Sequence, residues 1–186
     1  YRIHTHTVKP SEGEQEVYRV IIEEFCRICE LYYNSTGDAK KDAGLRLMRQ
    51  MKLLIRACSV PHLITGYYGD PYPGKTRYIE SLINTIPGKV AVGCTTIASV
   101  DLYEEYIRKQ FPHRPVYVIR GDVPFRKRQE IVSEFDVTTD GILICTQQSL
   151  SSSVSIPACN DVILESLQWN IPKMEQFYFR FIRLDS

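Results

Sequence analysis

Apolar positions along the chain fall into two regimes. From about Gly13 to Leu31 they recur at helical spacing, with Val17, Val20, Ile21, Phe25, Ile28 and Leu31 forming one stripe. A second helical pattern begins near Asp42, carries Leu45, Met48, Leu54 and Ile55, and stops before Pro61. The polar stretch from Asn34 to Lys41 is expected to be a loop, which makes the two helices an antiparallel hairpin. Ahead of them, Tyr1 to Val8 alternates weakly and predicts a short strand ended by Pro10 and Ser11. The segment from His62 to Gly74 is rich in Gly, Pro and Tyr and marks a boundary. We therefore expect residues 1–74 to be a strand, a helical hairpin and a linker, and residues 75–186 to be a separate lobe.

Beyond that boundary the period changes. Helical patterns at 76–86, 99–110 and 123–135 alternate with short β-branched runs at 89–94, 116–119 and 142–145. A last run at 162–164 precedes a final helix. Helix and strand alternating over short connections predict an α/β fold, a parallel sheet covered by helices on both faces. The run Ile142-Leu143-Ile144-Cys145 ends in Thr146 and a Ser-rich loop. The run Val162-Ile163-Leu164 is followed by Gln176, Arg180 and Arg183, which share one helix face because residues three or four apart are neighbours. Hydroxyls at a strand end, facing one amide and two guanidinium groups, suit phosphates or nucleic acid. They fall at the carboxyl edge of the sheet, where open α/β folds bind ligands.

Composition narrows this only slightly. A chain of 186 residues, 44% hydrophobic and 24% charged, has the make-up of an ordinary globular protein. Its net charge of +1 means that contact with nucleic acid must come from a local patch. No apolar run approaches the roughly 20 residues that span a bilayer, so no membrane partner is expected. The six cysteines form no dense framework, which fits a reducing compartment, cytoplasmic or nuclear. The sequon Asn34-Ser35-Thr36 is then unused. The chain opens at Tyr1 rather than methionine and reads as part of a longer polypeptide.

Several segments together resemble the second RecA-like lobe of superfamily 2 helicases and translocases, in the Snf2-like branch. Leu54 to Leu63 is similar to that family's LRxxCxHPxL stretch, with His62 after Pro61 rather than before it. Lys75 opens a helix like the family's K…L…L helix, and Lys89 to Thr96 resembles motif IV. Arg120-Gly121-Asp122 with Arg126 to Phe135 resembles the G…R…i…F block. Ile144-Cys145-Thr146 and its serines resemble motif V, Trp169 to Pro172 the WNP element, and Gln176, Arg180 and Arg183 motif VI. Motif V differs: Ser149 and Ser151 to Ser153 stand where glycines are usual, and Phe179 precedes the first arginine of motif VI. These departures fit a divergent, viral or phage member.

The resemblance implies an ATP-dependent DNA translocase or helicase whose ATP and Mg2+ are held mainly by an N-terminal RecA-like lobe of the same polypeptide. Arg180 and Arg183 would reach ATP as arginine fingers, with Gln176 beside them. Thr95, Thr96, Thr146, Ser149, Arg126 and Arg128 would grip the DNA backbone, double-stranded DNA being favoured. A degenerate lobe that only binds nucleic acid or protein is the rival from a different class.

Two other patterns invite sharper readings. Gly69 to Thr76 satisfies G-x-x-x-x-G-K-[ST], the phosphate-binding loop of complete P-loop NTPases. However, Pro71 and Pro73 lack the N–H groups such a loop uses to cradle phosphate. Cys26, Cys29, Cys58 and His62 could in principle make a zinc set, but Cys26 and Cys29 lie within a helical stripe where buried cysteine is common. No metal site is expected.

Overall fold

The strands show why each side chain faces the layer it does. In a computed structural model, which describes residues 2–150, 156, 159–168 and 170–181, the strands are β1 (Val90–Cys94), β2 (Val116–Ile119), β3 (Ile142–Thr146) and β4 (Asp161–Leu164). All pairings are parallel, in the order β2-β3-β1-β4. Alternate residues of a strand point to opposite faces. Val90, Val92 and Cys94 with Ile142 and Ile144 pack against Ile79, Ile83, Val100, Tyr103 and Ile107. Those partners come from α3 (Gly74–Thr85) and α4 (Ile97–Gln110). On the other face Ala91, Leu143 and Cys145 pack against Val132, Phe135, Leu150 and Phe177. These belong to α5 (Phe125–Asp136), α6 (Gln147–Leu150) and α7 (Ile171–Tyr178). Each expected strand and long helix of this lobe forms within a few residues of its predicted bounds, and the sheet is covered on both faces. The short helix α6 and a 3-10 turn at Pro61–Leu63 were not foreseen, because four or three residues carry no period.

The chain divides into two compact units, Val8–Gly74 and Lys75–Ser186 with Tyr1–Thr7. In the first unit, α1 (Glu12–Asn34) and α2 (Gly37–Ser59) form the hairpin. Ser11 and Glu14 close a capping box at its start: the Glu14 N–H donates to Ser11 Oγ at 3.3 Å, and the Ser11 N–H to Glu14 Oε2 at 2.9 Å. The expected polar loop over 34–41 shrinks to Ser35 and Thr36. Gly37, at φ 60°, turns the chain into α2 in a conformation that other residues adopt at a cost. Val17, Ile21 and Ala57 form the inner seam with Leu53, Leu54, Ile64 and Tyr67. Val20 and Leu31, read as part of the stripe, and Leu45 and Met48 of the second helix are exposed. A helix paired on one side buries an arc narrower than their spread.

The strand expected over residues 1–8 does not form among its described residues. His6 instead meets Tyr78 through a ring nitrogen 2.8 Å from the phenol oxygen. Backbone alternation this weak, without a paired neighbour, leaves the ladder groups to water.

The amino end of the sheet is closed by Arg114. Its guanidinium donates to the carbonyls of Asp140, Ile86 and Gly88 at 2.7, 3.1 and 2.6 Å, and to that of Ile83 at 3.4 Å. Desolvation lowers its pKa from the ordinary value, and the charge of Asp140 offsets this only in part. At the other end, a Cβ on Gly93 would meet the Phe177 ring at 2.6 Å. The missing side chain of Gly93 therefore lets α7 lie directly on β1.

Two expectations follow. Gly93→Ala should cost about 1–3 kcal/mol in urea unfolding through overpacking. The double variant with Phe177→Leu should lose less than the sum of the two single changes; strict additivity would show that the contact is not the cause. The second concerns the thiols. Burial pushes the Cys159 thiol up to about 12, and raises those of Cys94 and Cys145 as well, mainly for the same reason. A raised folded value means that the thiols' contribution is complete below the ordinary value of 9.0 and is lost as pH climbs toward about 12. Near neutral pH, alkylation followed by mass spectrometry should label exposed Cys26 in the native protein and reach these three only after unfolding.

Candidate functional site at the carboxyl edge of the sheet

Because the strands are parallel, their carboxyl ends open on one edge. There β1 runs into Thr95 and Thr96, β3 into Gln147, and β4 into Glu165 and Ser166. The Glu165 side chain is fully buried and accepts from Lys75 Nζ at 3.1 Å and from the Ser166 hydroxyl at 2.6 Å. Thr95 Oγ1 lies 3.0 Å from Ser166 Oγ. Ser166 has one hydroxyl proton and gives it to the carboxylate, so Thr95 is the donor in its bond to Ser166. A chain of polar groups thus runs from Lys75 through Glu165 and Ser166 to Thr95. The negative charge of Glu165 also reinforces burial in raising the Cys94 thiol and Tyr103 phenol.

Gln147 ties the same edge together. Its Nε2 donates to the carbonyls of Gly93 at 3.1 Å and Ser166 at 2.7 Å, while its Oε1 is buried without a hydrogen-bond partner among the described residues. One amide therefore joins the ends of β1, β3 and β4. Sequence reasoning missed Gln147, Glu165 and Ser166. Polar residues just past apolar runs were the available signal, but strand order, which sets them side by side, is not written locally.

The residues singled out from sequence occupy distinct settings. Thr96 caps α4, accepting from the Ser99 N–H at 3.1 Å and bonding the Ser99 hydroxyl at 2.8 Å. Thr146 and Ser149 are buried with their hydroxyls hydrogen-bonded to each other. Arg128 donates to the carbonyls of Val123, Ser149 and Gly121 at 2.7, 2.9 and 2.9 Å, so it shapes the loops at the edge. Arg126 is exposed, with its Nε 3.6 Å from Glu130. Gln176 is exposed on α7. Arg180 is half-buried just beyond that helix, which closes by tighter bonds from Arg180 N to Phe177 O and from Phe181 N to Tyr178 O, both 3.1 Å. The continuous helix face expected from Gln176 through Arg180 therefore stops at Tyr178. The Arg180 carbonyl accepts from Ile156 N at 2.9 Å. Arg183, Ser151 to Ser153 and Trp169 lie outside the described residues.

The other two patterns also have definite settings in the structure. No strand precedes Gly69–Thr76, which follows a 3-10 turn and bends, and Lys75 is held by Glu165 within α3. This is not the strand–loop–helix geometry of a phosphate-binding loop. Cys26 and Cys58 are exposed, and among the described residues no three His, Cys, Asp or Glu side chains gather to hold a metal.

The helicase conserved C-terminal domain model matches residues 74–185, and the chain belongs to that family. Its fold is that of the C-terminal lobe of SWI2/SNF2-type ATPases. The C-terminal part of the Fun30 ATPase domain superposes with a TM-score of 0.77 at 12% identity, covering 98% of this chain and 80% of that one. The Sulfolobus solfataricus SWI2/SNF2 ATPase C-terminal domain gives a TM-score of 0.69 at 17% identity over 88% of this chain and 71% of its own. The core of that ATPase in complex with dsDNA gives 0.72 at 15% identity, over 95% of this chain and 37% of its own. No curated protein matches the sequence.

The ion pair at this edge makes a direct prediction. Lys75→Met leaves the Glu165 carboxylate buried without its cation and should cost about 3–5 kcal/mol in chemical denaturation. Adding Glu165→Gln should recover a large part of that loss; no recovery would mean that Lys75 acts through packing alone.

Proposed function

We propose that the chain is the second motor lobe of an ATP-dependent DNA translocase or helicase. Its part in the reaction would be to bring arginine to ATP held by a first lobe. The observation that supports this reading is a backbone at Arg180 held on both sides, just after a helix seated on β1. Phe177 seats α7 on Gly93, and the backbone of Arg180 is bonded through both its N–H and its carbonyl. A guanidinium on a fixed backbone, planar and permanently charged, is suited to charge developing on a transferring phosphoryl group. Family membership and the likeness to an ATPase core solved with dsDNA support the same reading.

The donor set fits a partial nucleotide site. Glu165, the carboxylate closing β4, is committed to Lys75 and Ser166, so Mg2+ would be held by the first lobe. ATP, when bound there, supplies the phosphoryl group and the energy of its transfer. Arg180, with Arg183 beyond it, neutralises phosphate charge, and Gln176 orients the nucleotide or the neighbouring arginine. Thr95, Thr96 and the exposed Arg126 contact one DNA backbone without reading sequence. Thr146, Ser149 and Arg128 hold the loops from which those contacts are made. Motor proteins of this kind act inside cells, in cytoplasm or nucleus.

A second reading, a lobe that binds nucleic acid without catalysis, draws on motif V. Ser149 there is turned inward onto Thr146 instead of leaving the open backbone that glycine provides. One experiment separates the two. In the intact two-lobe protein, Arg180→Ala should lower DNA-stimulated ATP turnover by about 10³-fold or more while leaving DNA affinity unchanged. The 186-residue chain alone should show negligible turnover. Unchanged turnover in the variant would establish the non-catalytic reading.

A further inference from the structure

The hairpin carries a charge pattern that the sheet-edge site does not use. Cations in the first half of α2 and on α1 are engaged: Arg19 with Glu16 and Glu23, Arg27 and Arg46 with Glu24, and Lys41 with Asp38. Lys40 lies 4.9 Å over the Tyr32 ring. Arg49, Lys52 and Arg56 differ. All three are exposed, and none has an ion-pair or hydrogen-bond partner for its side chain among the described residues. No acidic residue occurs from Ala43 to Gly69, so none of their own helix turns supplies a neutralising charge.

At steps of three and four residues, the three side chains share one face and span about 10 Å of helix axis. Like charges at this spacing repel and weaken a helix slightly. The helix dipole rewards a cation only in the last turn, which accounts for Arg56 and not for Arg49 or Lys52. A row of unopposed cations along a rigid helix is complementary to a regularly charged polyanion.

We infer that this face of α2 is a second contact for the backbone of duplex DNA, with Arg49, Lys52 and Arg56 each meeting phosphate. The choice of duplex DNA rests on the motor reading above; the cationic row stands independently of it. An acidic protein segment would find the same charges. However, the exposed apolar pair Leu45 and Met48 continues this row only at its hairpin-turn end, and the stretch from Arg49 to Arg56 has no exposed large apolar side chain for a protein partner to bury. The contact would add sequence-independent grip on a unit of the chain separate from the sheet.

The test is the salt dependence of binding to a fluorescent DNA duplex, measured on the intact protein without nucleotide. The variant combining Arg49→Gln, Lys52→Gln and Arg56→Gln should flatten the slope of log K against log salt by roughly 2–3, given about 0.9 per phosphate contact. Arg49→Lys with Arg56→Lys should keep the slope, and so should Arg19→Gln, whose side chain is already paired. Circular dichroism checks that each variant is folded. The inference is overturned by an unchanged slope in the triple variant or by absence of duplex binding in the wild type. It is equally overturned if the triple change removes binding of a polyglutamate peptide and spares DNA. Failure of the motor reading is seen separately, as ATP turnover indifferent to Arg180→Ala.

Discussion

The contact of the Phe177 ring with the bare backbone of Gly93 is the constraint on which the candidate site depends. α7 has only eight residues, too few to be stable alone. Its position comes from burying one aromatic ring completely against β1, with Phe181 packed edge-on to that ring at 5.4 Å. The same glycine presents its carbonyl to Gln147, so the residue that admits α7 also anchors the amide joining three strand ends. Packing and polar bonding meet at one position, and the placement of Arg180 follows from both.

The architecture was legible because burial on both faces writes itself into the strands. Val90 to Cys94 and Ile142 to Cys145 are apolar throughout, as strands covered on two sides must be. Helix existence was legible from period, while helix ends were not: α2 begins at Gly37, and no large apolar residue marks its first turn. The weak alternation at the amino terminus was the converse case, since a strand needs a partner and local sequence does not reveal one.

The candidate site residues came from two kinds of signal. Gln176 and Arg180 were singled out by helical spacing, and the helix that carries Gln176 ends at Tyr178, two residues before Arg180. The polar groups at the edge could not be found from sequence, because Lys75 and Glu165 are ninety residues apart and meet only through the strand order. Hydroxyls at strand ends were ambiguous for a physical reason: Thr96 and Thr146 satisfy neighbours as readily as they would a ligand. The Walker-like Gly69–Thr76 shows the reverse. A pattern can be complete in letters while its prolines and the absence of a preceding strand remove the geometry it stands for.

Hydroxyl direction at the sheet edge has a consequence for grip. With the Ser166 proton given to Glu165, the Thr95 hydroxyl must point its own proton at Ser166 and can offer an incoming group only lone pairs. A phosphate oxygen requires a donor. Thr95 can therefore serve the fold or the backbone of a nucleic acid through that hydroxyl, but not both at once. Engagement of a strand through that hydroxyl would take from Ser166 a bond it accepts, while its donation to Glu165 and the Lys75 pair stay in place. Occupancy at the surface would then be felt at Ser166 and go no deeper.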